Sequence, residues 1–402
     1  MEIRRIDSAY KERIIEIFSM SFEYFEPEES EYFFSDPSLW DYVWGAFDRE
    51  RLVAAYISYK YLAKIRNRIF ECRYVEAVAT LPEYRNGGIT RKILLRDIEE
   101  AKDRGVHFIM LDPFKHDFYV KLGFGLGFES LEYTFDYSLL SGDLEEDNLK
   151  LVSGKLFEKD EMRELISQTR KTLWETSRYT EAIEIDACSQ EIFHRKDLFG
   201  AVAIDDRGLS HGMMIYGKKE RKMVIESFAF IDLAGLYALK RFLLNHRDQI
   251  ATFEMRKMPP DFPVELLFHS RWQAGRELKI MDASSRMVRV LDPLPVVSRL
   301  IDTSPSESVV LKIKDRLLPE NNVKIAIGNG KAEISEAVED FEIEISDLAT
   351  LLTGRLSPMR LWRLGKLRVG PWKNIPWGIS EPPGKVRILE SIFPGVITHN
   401  AI

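Results

Sequence analysis

Two short stretches, Val75-Glu-Ala-Val-Ala-Thr80 and Arg85-Asn-Gly-Gly88, decide the fold of this chain. The first is an apolar strand, and the second is a glycine turn that opens a helix with apolar side chains at Ile89, Ile93 and Ile98. Glycine accepts backbone conformations that let consecutive N–H groups converge. Those groups lie at a helix start, where unpaired donors and the helix dipole favour an anion. The pattern predicts a phosphate cradle, to which the Arg85 guanidinium can add a forked contact.

Length and composition limit the class of protein. A chain of 402 residues predicts two or three domains, and a net charge of −7 argues against nucleic-acid binding. Cys72 and Cys188 lie too far apart for a disulfide framework or zinc spacing, and the seven histidines show no metal-ligand spacing. No apolar run approaches the roughly 20 residues of a membrane span, and no signal peptide is visible. We expect a cytoplasmic protein with no metal.

Two α/β patterns follow one another along the chain. Strands are predicted at 42–47, 51–61, 70–80, 106–111 and 124–139, with a helix from Gly88 to Gly105. A similar order returns with a helix near 160–174, strands at 198–204, 211–216 and 223–231, and a helix at 234–245. No Arg-x-x-Gly pattern follows Ile231, so a second copy would lack the phosphate cradle and have a structural role.

The two opening stretches, together with Phe118-Tyr-Val-Lys-Leu-Gly-Phe124, resemble the acetyl-CoA-binding motifs of the GCN5-related N-acetyltransferase superfamily. The resemblance is closer to one branch, the Eis (enhanced intracellular survival) family of aminoglycoside acetyltransferases, and it covers the whole chain. Ser308–Asp315 and Asp347–Gly354 are similar to that family's sterol-carrier-like domain. Thr90 departs from the broad superfamily pattern, which has Gly or Ala there, and we interpret it as a character of the Eis branch.

The resemblance implies an α/β (α+β) fold in three domains. Residues 1–145 would form an acetyl-CoA-binding domain with a mixed sheet and helices on both faces. Residues 146–295 would form a degenerate acetyltransferase-like domain. Residues 296–402 would form a sterol-carrier-protein-like α+β domain that ends in the active site. The family also implies a homo-oligomer, a hexamer.

The same resemblance assigns the acetyl-CoA contacts. The backbone of Val78, Ala79 and Thr80 would pair with the pantetheine arm as a neighbouring strand does. Phe114 and Lys115 would flank the cofactor. The pyrophosphate would be held, next to Arg85, by the N–H groups of Asn86, Gly87, Gly88, Ile89, Thr90 and Arg91.

Acyl transfer to an amine needs a base for the amine and a proton for the departing thiolate. Taken alone, Tyr119 is a packing aromatic, but the resemblance implies that its hydroxyl is the general acid. The Eis branch uses the carboxylate of the chain terminus as the base, and in this sequence that carboxylate belongs to Ile402. The alternative is that the last residues of the chain form a frayed tail. His116 is a second candidate base and ranks below Ile402 on family resemblance alone.

The acceptor is predicted from the acidic, aromatic stretch 21–36, with Glu23, Phe25 and Glu26 in the substrate pocket. Carboxylates beside aromatic faces suit a polycationic amine such as an aminoglycoside, although a solvated acidic loop is the alternative. We therefore interpret the chain as an acetyl-CoA-dependent N-acetyltransferase for primary amines of such a small molecule. The alternatives are a protein lysine or N-terminal amine acetyltransferase, and a non-enzymatic carrier of an apolar ligand.

Overall fold

The computed structural model describes residues 1–22, 34, 37–140, 148–158, 160–176, 181–184, 195–268, 278–301, 303, 305, 307–368 and 384–395. The strands are β1 (Glu2–Arg5), β2 (Val43–Asp48), β3 (Arg51–Ile65), β4 (Arg68–Thr80), β5 (Phe108–Leu111), β6 (Gly125–Asp136), β7 (Lys150–Lys155), β8 (Glu181–Glu184), β9 (Leu198–Ile204), β10 (Ser210–Lys219), β11 (Lys222–Phe230), β12 (Thr252–Met258), β13 (Leu278–Val290), β14 (Val309–Lys314), β15 (Lys324–Gly328), β16 (Lys331–Ile334), β17 (Phe341–Glu344) and β18 (Leu367–Arg368). The helices are α1 (Lys11–Ser19), α2 (Ile89–Asp103), α3 (His116–Val120), α4 (Asp160–Thr176), α5 (Leu233–Leu244), α6 (Pro293–Leu300), α7 (Ile345–Thr353), α8 (Pro358–Arg363) and α9 (Gly384–Ile392).

The described residues form two compact units. The first contains 1–128, 181–184 and 286–395, and the second contains 129–176 and 195–285. The first unit therefore holds the phosphate-cradle segment together with nearly all of the segment predicted as a third domain. No described helix has the length and apolar composition needed to cross a membrane.

The first unit is built on a mixed sheet in the order β1-β2-β3-β4-β5-β13. Only β4 and β5 are parallel in this series, and α2 connects them. The inward side chains of α2 are buried, as its predicted period requires: Ile89, Ile93, Leu94, Ile98 and Ala101. The predicted strands and this helix are confirmed, with the predicted 124–139 segment forming the single strand β6 up to Asp136. Sequence analysis did not identify β13, which pairs antiparallel with β5 through Met287–Val290.

The second unit repeats the α/β order with strands β6-β12-β11-β10-β9-β7. Helix α5 follows β11, and β11 then pairs in parallel with β12. One core contains Leu236, Leu239 and Leu243 of α5. A smaller core contains Met162 and Ile166 of α4. The predicted second α/β pattern is confirmed.

The segment after α6 has its own sheet, in the order β16-β15-β14-β17-β18. The predicted strands at 308–315, 323–328 and 341–346 correspond to β14, β15 and β17. All nine residues of α7, which follows β17, are buried. A short helix without an exposed face lies inside a fold, so α7 is a core element of the first unit.

Candidate functional site

Strand β4 changes shape where the pantetheine contacts are predicted. Its pairing with β3 shifts register between Ala55↔Ala79 and Ile57↔Glu76, so one more residue lies on β4 than on β3. This is a β-bulge, and Ala77 within it has a left-handed φ of 51°. The register of β4 with β5 ends at Val75↔Leu111. At 78–80, the β4 edge that faces β5 pairs with no described strand, and this is the edge on which the pantetheine arm is predicted to pair.

The predicted phosphate cradle, residues 86–91, follows β4 in the sequence. Asn86 and Gly88 have left-handed φ angles of 64° and 71°, which turn the chain sharply into α2. The first backbone bond of this helix is donated by Lys92 to Gly88, at 3.1 Å. No described residue accepts a hydrogen bond from the N–H groups of 86–91, and no acidic side chain lies in the first turn of α2. The start of α2 thus has backbone donors without described acceptors and no competing carboxylate in its first turn, which suits a pyrophosphate.

Arg85 lies beside the cradle and contacts backbone. Its Nε donates to the Thr80 carbonyl at 3.0 Å, and its Nη2 donates to the Met20 carbonyl at 3.5 Å. The guanidinium therefore joins the turn to the end of β4 and to the segment after α1. The predicted fork toward phosphate stays a prediction.

Tyr119 lies in α3, the short helix after β5, and its ring is part of an aromatic cluster. Phe118 and Phe124 contact its ring edge-on, with centroids 5.0 and 5.8 Å away, and Phe114 contacts it at 5.6 Å. Only 3% of Tyr119 is exposed, whereas Phe114 is 76% exposed. Burial raises the pKa of Tyr119 to about 12, so the hydroxyl keeps its proton. Lys115 immediately precedes α3, and His116 is its first residue.

Sequence analysis missed one charged side chain at the sheet edge where β4 and β5 separate. Asp112 follows β5, and its carboxylate accepts both Nε and Nη2 of Arg286, at 3.0 and 3.3 Å, and the Tyr74 hydroxyl at 3.0 Å. Burial by itself would lower the pKa of Arg286, but Asp112 raises it above its ordinary value. The Asp112 side chain is 40% exposed. A buried arginine thus fixes a half-exposed carboxylate where β4 and β5 separate. The only sequence signal was a charged residue following an apolar strand.

The predicted base and acceptor residues lie outside the described residues. These are Ile402 for the base and Glu23, Phe25 and Glu26 for the substrate pocket.

The second unit has a helix at the equivalent place, but its first turn is already occupied. Asp232 precedes α5, and its carboxylate accepts the Gly235 N–H at 2.9 Å and contacts Nδ1 of His211 at 2.7 Å. A Cβ on Gly235 would overlap the His211 carbonyl. The N-terminus of α5 therefore carries its own anion and contacts β10 closely. A phosphate at this helix start would meet the Asp232 carboxylate, which agrees with the expected absence of a cradle in the second copy.

Three family models match the chain. An acetyltransferase (GNAT) domain matches residues 2–127, a second acetyltransferase (GNAT) domain matches 169–290, and a sterol carrier protein domain matches 290–399. No curated protein sequence matches.

Solved structures share the fold over almost the whole chain. A protein of unknown function from Enterococcus faecalis, described as a probable N-acyltransferase, has a TM-score of 0.80 at 17% identity, covering 100% of this chain and 98% of that one. A GCN5-related N-acetyltransferase from Anabaena variabilis has a TM-score of 0.79 at 17% identity, covering 98% and 97%. Eis1 from Mycobacterium abscessus has a TM-score of 0.77 at 17% identity, covering 100% and 98%. The predicted fold class is confirmed: the chain carries two acetyltransferase domains followed by a sterol carrier protein domain, and it is an acetyltransferase.

Proposed function

We propose that the first acetyltransferase domain moves the acetyl group of acetyl-CoA to primary amines of a polycationic small molecule such as an aminoglycoside. The observation that carries this proposal is the continuity of the site. The N–H groups of 86–91 have no acceptor among the described residues, the edge of β4 that faces β5 pairs with no described strand at 78–80, and Tyr119 lies beyond β5.

The residues of the chain divide the chemistry between them. Acetyl-CoA supplies the thioester. The 86–91 N–H groups bind its pyrophosphate, and the edge of Val78, Ala79 and Thr80 aligns its arm as an added strand does. The Tyr119 hydroxyl donates its proton to the sulfur as the carbon–sulfur bond breaks and the amine nitrogen forms the new bond to the acetyl carbon. A pKa of about 12 keeps this donor protonated at neutral pH.

The base in this proposal is the terminal carboxylate of Ile402. An α-carboxylate has an ordinary pKa of about 3.3–3.7, so it is ionised at neutral pH. It accepts a proton from the acceptor ammonium, and the neutral amine that results attacks the acetyl carbon. Support for Ile402 comes from the Eis resemblance, in which the chain terminus enters the active site. His116 is the alternative base, because it opens α3 only three residues before Tyr119.

The polycationic acceptor is supported by two observations. The stretch 21–36 is rich in carboxylates and aromatic rings, and Asp112 presents a half-exposed carboxylate. A lysine or N-terminal amine of a protein is the second candidate acceptor, because it needs the same proton transfers. The intact cradle argues against a carrier function without catalysis.

The test is release of free CoA thiol from acetyl-CoA, followed with a thiol-reactive dye. The acceptors are an aminoglycoside, a linear polyamine, a lysine-containing peptide and a monoamine of similar basicity. We expect turnover with the aminoglycoside or polyamine and little with the peptide or monoamine. Faster turnover with the peptide would favour the protein acceptor. Turnover with none of them, while acetyl-CoA binds, would reject the polycation proposal.

A further inference from the structure

Arg289 is a fully buried arginine of β13 that joins two distant segments of the first unit. Its Nη1 donates to the carbonyl of Leu122 at 2.6 Å, across 167 positions of sequence. Its Nη2 donates to Oδ2 of Asp315, also at 2.6 Å. Both side chains of this ion pair have no exposed surface. One guanidinium thus connects the segment after α3 to the end of β14.

The Leu122 carbonyl belongs to the turn that ends the Tyr119 helix. The Tyr119 carbonyl accepts the N–H groups of Leu122 and Phe124, at 2.9 and 3.1 Å. Gly123 between them has a φ of 84°, and a Cβ there would overlap Nη1 of Arg289. The guanidinium therefore occupies the space beside a helix end, where backbone carbonyls lack intrahelical partners. Arg289 fixes the last turn of the segment that carries Tyr119.

Asp315 is itself held rigidly. Its Oδ1 accepts the N–H groups of Leu317 and Leu318, at 2.9 and 3.1 Å, and its Oδ2 accepts Nδ2 of Asn321 at 2.9 Å. These residues lie in the segment matched by the sterol carrier protein domain. Burial lowers the pKa of Arg289, and the Asp315 charge opposes that shift. The Arg289–Asp315 pair is therefore a clamp: its hydrogen bonds fix the orientation of the groups they join, and burying the two charges has a large desolvation cost.

We propose that Arg289 and Asp315 are positioning residues, through which the sterol carrier protein domain holds Tyr119 in its reacting place. The proposal rests on the proposed role of Tyr119 as the general acid. A buried ion pair is a weak source of stability, since apolar residues of similar volume often replace it at no cost. Apolar residues cannot replace the hydrogen bonds that fix the orientation of the Leu122 carbonyl and the Asp315 carboxylate. A displacement of about 1 Å at a reacting group costs on the order of 100-fold in rate.

The test uses the double variant Arg289→Met with Asp315→Asn in the full chain, because the amide oxygen of asparagine can still accept the N–H groups of Leu317 and Leu318. Removing both charges avoids leaving a buried unpaired carboxylate, which would unfold the protein for a trivial reason. We expect a folded protein that binds CoA with wild-type affinity, because the cradle lies on another helix. We expect kcat to fall about 10- to 100-fold with little change in the KM for acetyl-CoA. Wild-type kcat in a folded double variant would overturn the proposal.

A second variant keeps the test decisive if the double variant does not fold. Arg289→Lys retains the buried charge but has one compact donor group in place of the fork. It cannot hold the Leu122 carbonyl and Asp315 in the same planar geometry. We expect a lower kcat with unchanged CoA affinity here also, and unchanged kcat would count against the proposal.

Arg66 provides the matched control. It is also buried, and its Nε and Nη2 donate to the carbonyls of Leu352 and Leu351, at 2.9 and 3.0 Å. These two hydrogen bonds cap α7, and neither of them involves the Tyr119 segment. Arg66→Met should lower the unfolding midpoint in urea and leave kcat unchanged. An equal fall in kcat for Arg66→Met would mean that any loosening slows the enzyme, and would overturn a specific role for Arg289.

Combining the double variant with Tyr119→Phe separates the two proposals. If Tyr119→Phe alone retains wild-type turnover, the acid role fails, and the positioning role fails with it. If Tyr119→Phe is slow and the Arg289/Asp315 variant is fast, only the positioning role fails. If both are slow and their effects do not multiply, Arg289 acts through Tyr119. Multiplicative effects would show that it acts elsewhere and would overturn the proposal.

Discussion

At the scale of single residues, Tyr119 has a packing role in the structure and a proposed chemical role as the general acid. Its ring lies among Phe114, Phe118 and Phe124, and its hydroxyl has a pKa raised to about 12 by burial. A phenylalanine retains these ring contacts and lacks only the hydroxyl. The two roles can therefore be separated by one substitution.

Tyr119→Phe should fold and bind CoA as the wild type does, while kcat falls by about 10²–10⁴-fold, because the departing sulfur loses its proton donor. Tyr216→Phe is the matched control. Tyr216 is also buried, with a pKa raised to about 12, but it lies in the second unit. Its removal should leave kcat unchanged. Near wild-type turnover in Tyr119→Phe would return Tyr119 to packing alone.

The pH dependence follows from the direction of the same shift. A general acid works in its protonated form, which for Tyr119 persists below a pKa of about 12. The rate should therefore rise with pH as the acceptor amine loses its proton, and it should not fall again below about pH 10. A profile of kcat/KM from pH 6 to 10.5 measures this. A falling limb centred near pH 8 or 9 would assign the donor to another group.

At the scale of elements, α2 is fixed at both ends by glycines with the same backbone conformation. Gly88 precedes the helix with a φ of 71°, and Gly105 follows it with a φ of 75°. A Cβ at either position would meet no atom within 4 Å. The two sites differ in that only Gly88 lies among the free N–H groups of the cradle.

Gly88→Val and Gly105→Val should carry a similar strain, on the order of 1–2 kcal/mol, because both require a left-handed β-branched residue. Only Gly88→Val should lose CoA binding, since its side chain projects where the ligand must approach the backbone. Isothermal titration with CoA compares them at equal folded fraction. Equal CoA affinity in the two variants would place the pyrophosphate elsewhere.

Helix α2 is joined to the sheet by a buried carboxylate. Asp97 has no exposed surface and accepts Nε1 of Trp44 at 3.0 Å, the Tyr56 hydroxyl at 3.2 Å and the Ser58 hydroxyl at 2.6 Å. Burial raises its pKa, although Ser58 and the nearby Arg5 oppose the shift. Three strand donors thus converge on one helix residue and set the orientation of the helix that begins at the cradle.

Asp97→Ala should lower the free energy of unfolding by about 3–5 kcal/mol, because the donors that face it would be buried without an acceptor. Glu99→Ala on the same helix is the control. Glu99 pairs with Arg96 at 2.9 Å, but the two side chains are 63% and 59% exposed. An exposed pair contributes little, so its loss should stay within about 1 kcal/mol. Urea denaturation followed by tryptophan fluorescence compares them, and similar losses would contradict this account of Asp97.

At the scale of the whole molecule, the first unit combines the first and last parts of the chain. Arg66 caps α7, and a Cβ on Gly125 would overlap the Ser346 carbonyl. Arg289 meets both Leu122 and Asp315. The sterol carrier protein domain is therefore integrated with the acetyltransferase domain at the level of buried backbone groups.

The role proposed for the Ile402 carboxylate also belongs to this scale. A tag added after Ile402 converts the carboxylate to a neutral amide and should abolish turnover, whereas the same tag before Met1 should be harmless. CoA binding should persist in both proteins, because the cradle is unchanged. Thiol release measured on the two tagged forms decides the matter. Equal activity would refute the terminal base and favour His116 or a carboxylate acting through water.

The sequence by itself determined what consecutive residues can encode. The glycine turn, the period of α2, the order of strands and the position of Tyr119 are local patterns, and each predicted feature is present in the structure. The fold also decided what no local pattern carries. Ala77 takes a left-handed φ within a bulge, β13 joins β5, and Arg286 and Arg289 reach partners far away in the sequence. A buried arginine finds its acceptors only after strands distant in the chain have paired. The desolvation of its charge then makes that geometry specific, so the clamp on the Tyr119 segment is a property of the tertiary structure alone.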